Sequence, residues 1–254
     1  MKLNVWVMLL AAAGGFALQA ARVVLSENTV GVLRVKTTTA RTIVPVPFVA
    51  AGDQTTETEP AITVDQMVQK ENVAWMDSIE SWKGHAYDVW SLDNDVWTVN
   101  NSGTPGANTP AADKAPLTIG EGVWFSPGPN VTGEKSILAV GQLPKAASLT
   151  TTIQPGEQKL LANPLLEQPF ELNRIRGAAR DTILVVAGEG TKTYKYDETL
   201  QKWFLYSFDS ESGKWGRTYH EQNLIPPRGG AFWYQRATGL EPLTINWLET
   251  SVGE

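Results

Sequence analysis

The stretch that decides the fold is TILVVAGEGTKTYKYDETLQKWFLYSF, residues 182–208. It contains three runs of mainly β-branched and aromatic residues, at 182–187, 191–196 and 202–208. Short runs of this composition, bounded by Gly, Asp and other turn residues, are typical of β-strands. In the middle run Tyr194 and Tyr196 fall on one face, and Thr193 and Lys195 fall on the other. The stretch therefore predicts antiparallel strands joined by short turns.

The rest of the chain follows the same pattern of short runs and turn residues, and signals for helices are weak. One capping-box pattern, Thr63-x-x-Gln66, predicts a helix of one or two turns. We prefer a strand at residues 72–76 after it, although apolar residues at helical spacing over 67–82 leave one longer helix as the alternative. The predicted fold class is mainly β, with antiparallel strands in sandwiches or partly closed barrels and at most a short helix.

The two halves of the chain match in sequence, in the same order. The offset is about 110 residues, longer than the roughly 20–50 residues of a solenoid repeat. The matched segments are VPVPF at 44–48 with LANPL at 161–165, ITVD at 62–65 with FELN at 170–173, VAWM at 73–76 with TILV at 182–185, and GEGVWF at 120–125 with GGAFWY at 229–234. The pair Trp90 and Trp97 has the same spacing as Tyr196 and Trp203. We expect two tandem related β-modules, at residues 21–145 and 146–254.

In this repeat the chain resembles a group of largely uncharacterised, signal-bearing β-repeat modules found in secreted bacterial proteins. The modules share an N-P pattern, then V-Y-x-Y-D followed by W, then P-G-x-G-F-W. The second half carries Asn163-Pro164, TYKYD at 193–197 before Trp203, and the segment from Pro226 to Trp233, whereas the first half has Val46-Pro47 in place of N-P. The resemblance implies export and a β fold, and it implies no catalytic residues.

The N-terminus has the pattern of a secretory signal peptide at residues 1–20. Lys2 gives the short positive region, an apolar Ala- and Gly-rich run follows, and Ala20 is a small residue at the expected cleavage position. An uncleaved membrane anchor is the alternative, because the uncharged stretch 3–21 is just long enough to cross a bilayer. No later segment has that character, so we expect a secreted, periplasmic or cell-surface protein with no membrane span once the leader is removed.

Composition and charge exclude several classes of function. The 254 residues include no Cys, which excludes disulfide scaffolds, thiolate metal sites and Cys nucleophiles. A net charge of −6 argues against a nucleic-acid partner. His85 and His220 show no metal-ligand spacing, and the acidic pairs Asp93-x-Asp95 and Asp209-x-Glu211 lack the spaced ligands of a calcium loop. We therefore predict no cofactor, no metal and no catalytic residues.

Tryptophan is unusually frequent, with 10 residues. Those that recur in the repeat indicate packing: Trp90, Trp97, Trp124, Trp203 and Trp233. The remaining four in the mature chain are the candidate binding aromatics: Trp75, Trp82, Trp215 and Trp247. The leading interpretation is a non-enzymatic exported protein with a structural, adhesive or self-assembling role. A carbohydrate-binding module is the alternative, and a secreted glycoside hydrolase comes third.

The expected partner is a second copy of the chain or an extracellular polymer such as a glycan. Pairing between copies needs an uncovered edge strand, and proline protects such edges. Pro45 and Pro47 stand in the first module, whereas residues 159–162 of the second module have no such pair. The sequence therefore predicts that residues 159–162 form the more available edge.

If the leader is cleaved, N-terminal sequencing of the exported protein will start near Ala21. The reason is the small residue at position 20 after the apolar run. A start at Met1 in exported material would contradict cleavage and favour the membrane anchor.

Overall fold

The computed structural model describes residues 30–37, 40–50, 61–74, 76–93, 96–101, 109–110, 116–129, 132–144, 149–165, 168–187, 190–210, 212–219, 224–225 and 230–248. The expected leader, Trp75 and His220 lie outside the described residues. The described chain is mainly β, as predicted, with one short α-helix, α1 (Val64–Met67). The predicted capping box at Thr63 and Gln66 is present at the start of α1.

The described residues of the first module form eight strands in chain order: β1 (Val30–Thr37), β2 (Thr42–Pro45), β3 (Ser78–Trp82), β4 (Tyr87–Asp93), β5 (Val96–Asn101), β6 (Thr109–Pro110), β7 (Gly122–Ser126) and β8 (Lys135–Gln142). Six of them form an antiparallel sheet in the order β2-β7-β3-β4-β5-β6, and β1 pairs with β8 in a second, two-stranded sheet. The two sheets and α1 enclose one core, which includes Leu33, Phe48, Met67 and Phe125.

In the second module the described part of the chain forms ten strands: β9 (Thr150–Ile153), β10 (Gln158–Ala162), β11 (Phe170–Glu171), β12 (Thr182–Ala187), β13 (Gly190–Asp197), β14 (Lys202–Asp209), β15 (Lys214–Tyr219), β16 (Leu224–Ile225), β17 (Ala231–Gln235) and β18 (Leu243–Asn246). Its six-stranded sheet has the order β10-β17-β12-β13-β14-β15. The pairs β9–β18 and β11–β16 form two small sheets beside it. Each six-stranded sheet is open, with an edge strand at both ends.

The two six-stranded sheets have the same strand order, as expected for related modules. Ile79 pairs with Phe125 and Trp90, and Ile183 pairs in the same way with Tyr234 and Tyr194. From this register Trp124 is equivalent to Trp233. One equivalence differs from the one expected from the sequence: Trp90 takes the position of Tyr194 and not that of Tyr196.

The expected strand at residues 72–76 is wrong, and so is the match of 73–76 with 182–185. A 3-10 helix occupies Lys70–Asn72, and the next strand begins at Ser78. The cause is a turn in which the Asp77 carboxylate accepts a hydrogen bond from the Ala74 N–H at 2.7 Å. The second module has the same turn, where the Asp181 carboxylate accepts from the Ala178 N–H at 2.9 Å.

Both aspartates are fully buried and paired with a cation. Asp77 forms an ion pair with Lys135 and accepts from the Gly128 N–H at 2.8 Å. Asp181 accepts hydrogen bonds from three groups that follow or end β17: Arg236 Nη1 at 2.5 Å, the Tyr234 hydroxyl at 2.6 Å and the Ala237 N–H at 2.9 Å. Burial, followed by the Asp181 carboxylate, raises the pKa of Tyr234 far above its ordinary value, so its hydroxyl stays a donor.

The modules pack together through equivalent positions on the outer faces of their sheets. Ile43, Leu160, Ala162 and Ala231 form a buried cluster against Trp124 and Trp233. Gly122 allows the sheets to approach, because a Cβ there would lie 3.1 Å from Leu160 and 3.2 Å from Ile43. At the rim, the Trp82 indole N–H donates to the Gln158 carbonyl at 2.8 Å.

This packing overturns the expectation that residues 159–162 form an available edge. The first module covers β10: Leu161 bridges Glu121, and the Ala162 N–H donates to the Gly120 carbonyl at 2.9 Å. Leu160, Leu161 and Ala162 are all buried. The sequence could not show this, because the covering residues lie about forty positions away in the other module.

We expect Asp181→Asn to destabilise the protein by about 3–5 kcal/mol, because it leaves Arg236 as an uncompensated buried charge. Urea unfolding followed by tryptophan fluorescence measures the loss. The matched control is Glu134→Gln, which removes the exposed ion pair with Lys36 at 3.8 Å and should cost no more than about 1 kcal/mol. Similar small losses in both variants would contradict a structural role for Asp181.

Candidate functional site

The outer face of the second module carries a row of aromatic side chains at the end of the sheet far from the first module. Strand pairing places Phe204 opposite Tyr219 and Phe208 opposite Trp215, with Tyr206 between them on β14. Successive residues of a strand point to opposite faces, so these five side chains share one face. We call Phe204, Tyr206, Phe208, Trp215 and Tyr219 the aromatic face.

Most of the aromatic face is open to solvent. Trp215 is 59% exposed, Phe208 55% and Tyr219 41%, whereas Phe204 is buried at the base. The rings of Tyr206 and Trp215 are stacked, with centroids 4.7 Å apart and an interplanar angle of 7°. Phe208 meets Trp215 edge to face at 5.5 Å, and Phe204 meets Tyr219 at 5.6 Å. The rings thus form one continuous surface.

Charged side chains border this surface. Lys195 Nζ lies 4.4 Å from the centroid of the Tyr206 ring, and the Arg217 guanidinium lies 4.9 Å from that of Phe204. Asp197 and Lys202 face each other across β13 and β14 on the same side of the sheet. The aromatic face therefore has a polar rim that is richer in positive than in negative charge.

Asp197 is the carboxylate of this rim, and neighbouring groups donate hydrogen bonds to its oxygens. It accepts from the Tyr219 hydroxyl at 2.7 Å and from the N–H groups of Thr199 and Leu200, and Arg217 Nη1 lies 3.8 Å away. The Tyr219 hydrogen bond is the main reason that the pKa of Asp197 lies below its ordinary value. The same bond raises the pKa of Tyr219.

The module fold does not require the aromatic face, because the first module lacks it. The register makes Ser91 equivalent to Lys195 and Thr98 equivalent to Phe204. Core positions behave differently: Trp97 and Trp203 are equivalent, and both are buried. Since the same sheet forms with Ser and Thr at the outer positions, this sheet topology does not need aromatic residues there.

The structure separates the four candidate binding aromatics. Trp215 is the exposed centre of the aromatic face. Trp247 is fully buried, donates to Thr151 Oγ1 at 2.8 Å and packs on Phe170, so it is a core residue and not a binding residue. Trp82 is half-buried and contacts Trp233 between the modules. Trp75 lies outside the described residues.

Reasoning from the sequence missed the partners of Trp215 on β14. The sequence predicts a strand that contains Tyr206 and Phe208, but its strand pattern was not used to assign the two side chains to a face of the sheet. The signal was present in the sequence: Phe204, Tyr206 and Phe208 alternate, and a polar turn then leads to Trp215. Pairing residues 204–208 with the strand that begins after this turn puts all four rings on one face of the sheet.

The described residues hold no group of three or more His, Asp or Glu side chains placed to hold a metal ion. Among them there is also no helix long and apolar enough to cross a membrane. No family model, curated protein or solved structure matches this chain. What the protein does is therefore inferred from the geometry of its own residues.

Tyr219→Phe should raise the pKa of Asp197 towards its ordinary value, because the substitution removes the hydroxyl that stabilises the carboxylate. The stabilisation from this hydrogen bond exists above the unfolded-state pKa and is lost as the pH falls through the lower folded-state pKa. NMR titration of the Asp197 side-chain carboxyl carbon measures the change. Tyr206→Phe on the same face is the control and should leave the titration where it is; an unchanged titration in Tyr219→Phe would contradict the assignment.

Proposed function

We propose that this is an exported, non-enzymatic adhesive protein that binds an extended extracellular glycan through the aromatic face. The observation that supports this function is the solvent-exposed row of Phe208, Trp215 and Tyr219 around the half-buried Tyr206, bordered by polar side chains. Exposed apolar patches rimmed by polar residues mark interaction sites. Export is inferred from the residue pattern of the N-terminus, and its test is the sequencing experiment given above.

The shape of the surface favours a polymer. Sites for small molecules are concave and enclose most of the ligand, whereas these rings stand along the exposed outer side of an open sheet. From Phe204 to Phe208 the row runs about 13 Å along β14, at about 3.3 Å per residue. That length suits several consecutive sugar rings, whose C–H faces pack on aromatic rings while their hydroxyl groups reach the polar rim.

A non-enzymatic role fits the carboxylates near the rings better than glycoside hydrolysis does. Hydrolysis uses two carboxyl groups about 5–9.5 Å apart on either side of the bond that is cut. Among the described residues of β13–β15 on this side of the sheet, Asp197 is the carboxylate. Its hydrogen bonds with Tyr219, Thr199 and Leu200 hold it ionised, which suits a structural carboxylate and not a proton donor.

Self-association is the second candidate, and the edge strands β1 and β15 favour it. Each is the last strand of its sheet in the described part of the chain. Val30 and Val32 on β1 are more than half exposed, as is Trp215 on β15. Lys36 and Arg34 on β1, and Lys214 and Arg217 on β15, are charges of the kind that discourage pairing between edges, so glycan binding is preferred.

Trp215→Ala should weaken binding to an insoluble or soluble polysaccharide by roughly tenfold or more, because truncating a central aromatic anchor costs about 2 kcal/mol or more. Affinity electrophoresis on a panel of polysaccharides identifies a bound polymer, and titration calorimetry then compares the variants. Thermal unfolding should change little, because Trp215 is exposed.

Leu248→Ala is the matched control, since it also removes an exposed apolar side chain but lies outside the aromatic face and outside the edge strands β1 and β15. It should bind like the unmodified protein. Sedimentation velocity over a range of concentrations tests the second candidate. Concentration-dependent assembly that Trp215→Ala abolishes, with no polysaccharide bound, would replace glycan binding by self-association.

A further inference from the structure

We infer that the glycan bound by the aromatic face is a sparsely charged anionic polysaccharide, with one acidic sugar in each repeat of two or more sugars, whose acidic groups are held by Lys195 and Lys202. This inference rests on the proposed function and narrows it to one chemical class of ligand. It follows from where the charges lie on the second module.

The aromatic face is positive, whereas the chain as a whole has a net charge of −6. Pairing along β13–β15 puts Lys195, Lys202 and Arg217 on the same side of the sheet as the rings, with Asp197 as the acidic residue among them. A local excess of positive charge on an acidic protein is the electrostatic complement of an anionic ligand.

The two lysines are available to a ligand and Arg217 is engaged. Arg217 Nη1 lies 3.8 Å from Asp197 Oδ2, which already accepts the Tyr219 hydroxyl. Within the residues that the structure describes, no carboxylate forms an ion pair with Lys195 or Lys202. Both ammonium groups can therefore donate hydrogen bonds to a ligand's acidic groups without breaking an ion pair among the described residues.

Lysine geometry suits acidic groups spaced along a chain. Lys195 is opposite Phe204, and Lys202 is opposite Asp197, so the two lysines are diagonal neighbours on adjacent strands. Diagonal neighbours lie about 7–8 Å apart. Lys195 also packs over the Tyr206 ring, at the border between the rings and the charges. A sugar stacked on the rings thus places its acidic substituent beside an ammonium group.

The charge density favours an acidic glycan over a nucleic acid. Nucleic-acid affinity comes mainly from neutralising many phosphates, one for every nucleotide. On this side of the sheet two lysines are available beside a larger area of aromatic rings. A polymer with widely spaced charges and apolar sugar faces matches that ratio.

The experiment compares polymers that share a backbone and differ in charge: hyaluronate, with one carboxylate in each disaccharide, against its methyl ester, and lightly carboxymethylated dextran against dextran. In low salt we expect the unmodified protein to bind an anionic polymer roughly tenfold more tightly than its neutral partner, since each exposed ion pair is worth about two- to fivefold. Raising the ionic strength should remove most of that difference.

The variant Lys195→Gln/Lys202→Gln should remove most of the preference for the anionic polymer over its neutral partner. Lys195→Arg/Lys202→Arg should retain the preference. Lys192→Gln is the matched control, because it removes an exposed lysine from the same strand but the opposite face. Thermal unfolding shows that each variant is folded.

The outcomes separate this inference from the proposed function. Equal binding of charged and neutral polymers, or a preference that survives Lys195→Gln/Lys202→Gln, overturns the charge assignment while Trp215-dependent glycan binding still stands. Binding of no polysaccharide at all overturns both. Tighter, Trp215-dependent binding to oligo(dT) or to vesicles containing anionic phospholipid overturns the assignment to a glycan.

Discussion

The central constraint on each module is the buried aspartate that lies directly before the third strand of its six-stranded sheet, β3 or β12. Asp181 stands just before β12, while its partners Tyr234, Arg236 and Ala237 stand at the end of β17. These bonds fix the register of β12 against β17. Because a slip of one residue would turn every side chain to the other face, the carboxylate determines which residues of the sheet are buried and which reach solvent.

Asp77 does the same for the first module with a different cation, and the difference is informative. Lys135 comes from β8, which belongs to the two-stranded sheet, so the ion pair joins the two sheets of that module. In the second module Arg236 follows β17 directly and also donates to the Glu241 carbonyl at 2.8 Å. The buried carboxylate has been kept while the source of its counter-charge has changed, as expected where an unpaired buried charge is not tolerated.

The fold was predictable from local patterns, whereas the site depended on pairing across the chain. Short β-branched runs and the Thr63 capping box identified most of the longer strands and the α-helix of the described chain. The strand expected at residues 72–76 failed because a side chain, Asp77, satisfies the backbone there in place of a neighbouring strand. Trp215 and Trp247 look alike in sequence, and only the register shows that one stands at an outer edge and the other at the centre of a core.

The relation between the modules explains how an exposed aromatic surface is compatible with a well-packed fold. One end of the second sheet uses its outer face to pack on the first module, with Leu160 and Trp233 in the contact. The other end of that same face carries Phe208 and Trp215 and has no described neighbour to cover it. The outer face of the second sheet thus has two regions. One packs against the first module, and the other is exposed and differs in its residues from the first module.

The divergent surface is also ordered before it binds anything. Trp215 is stacked on Tyr206, and Lys195 also packs over the Tyr206 ring. The Tyr219 hydroxyl donates a hydrogen bond to Asp197. Each of these contacts restricts a side chain that would otherwise lose about 0.5–1.5 kcal/mol of conformational freedom on binding. Because these rings are already held in place by one another and by charged side chains, they would lose less conformational entropy on binding. This order favours the binding role that we propose for the open surface.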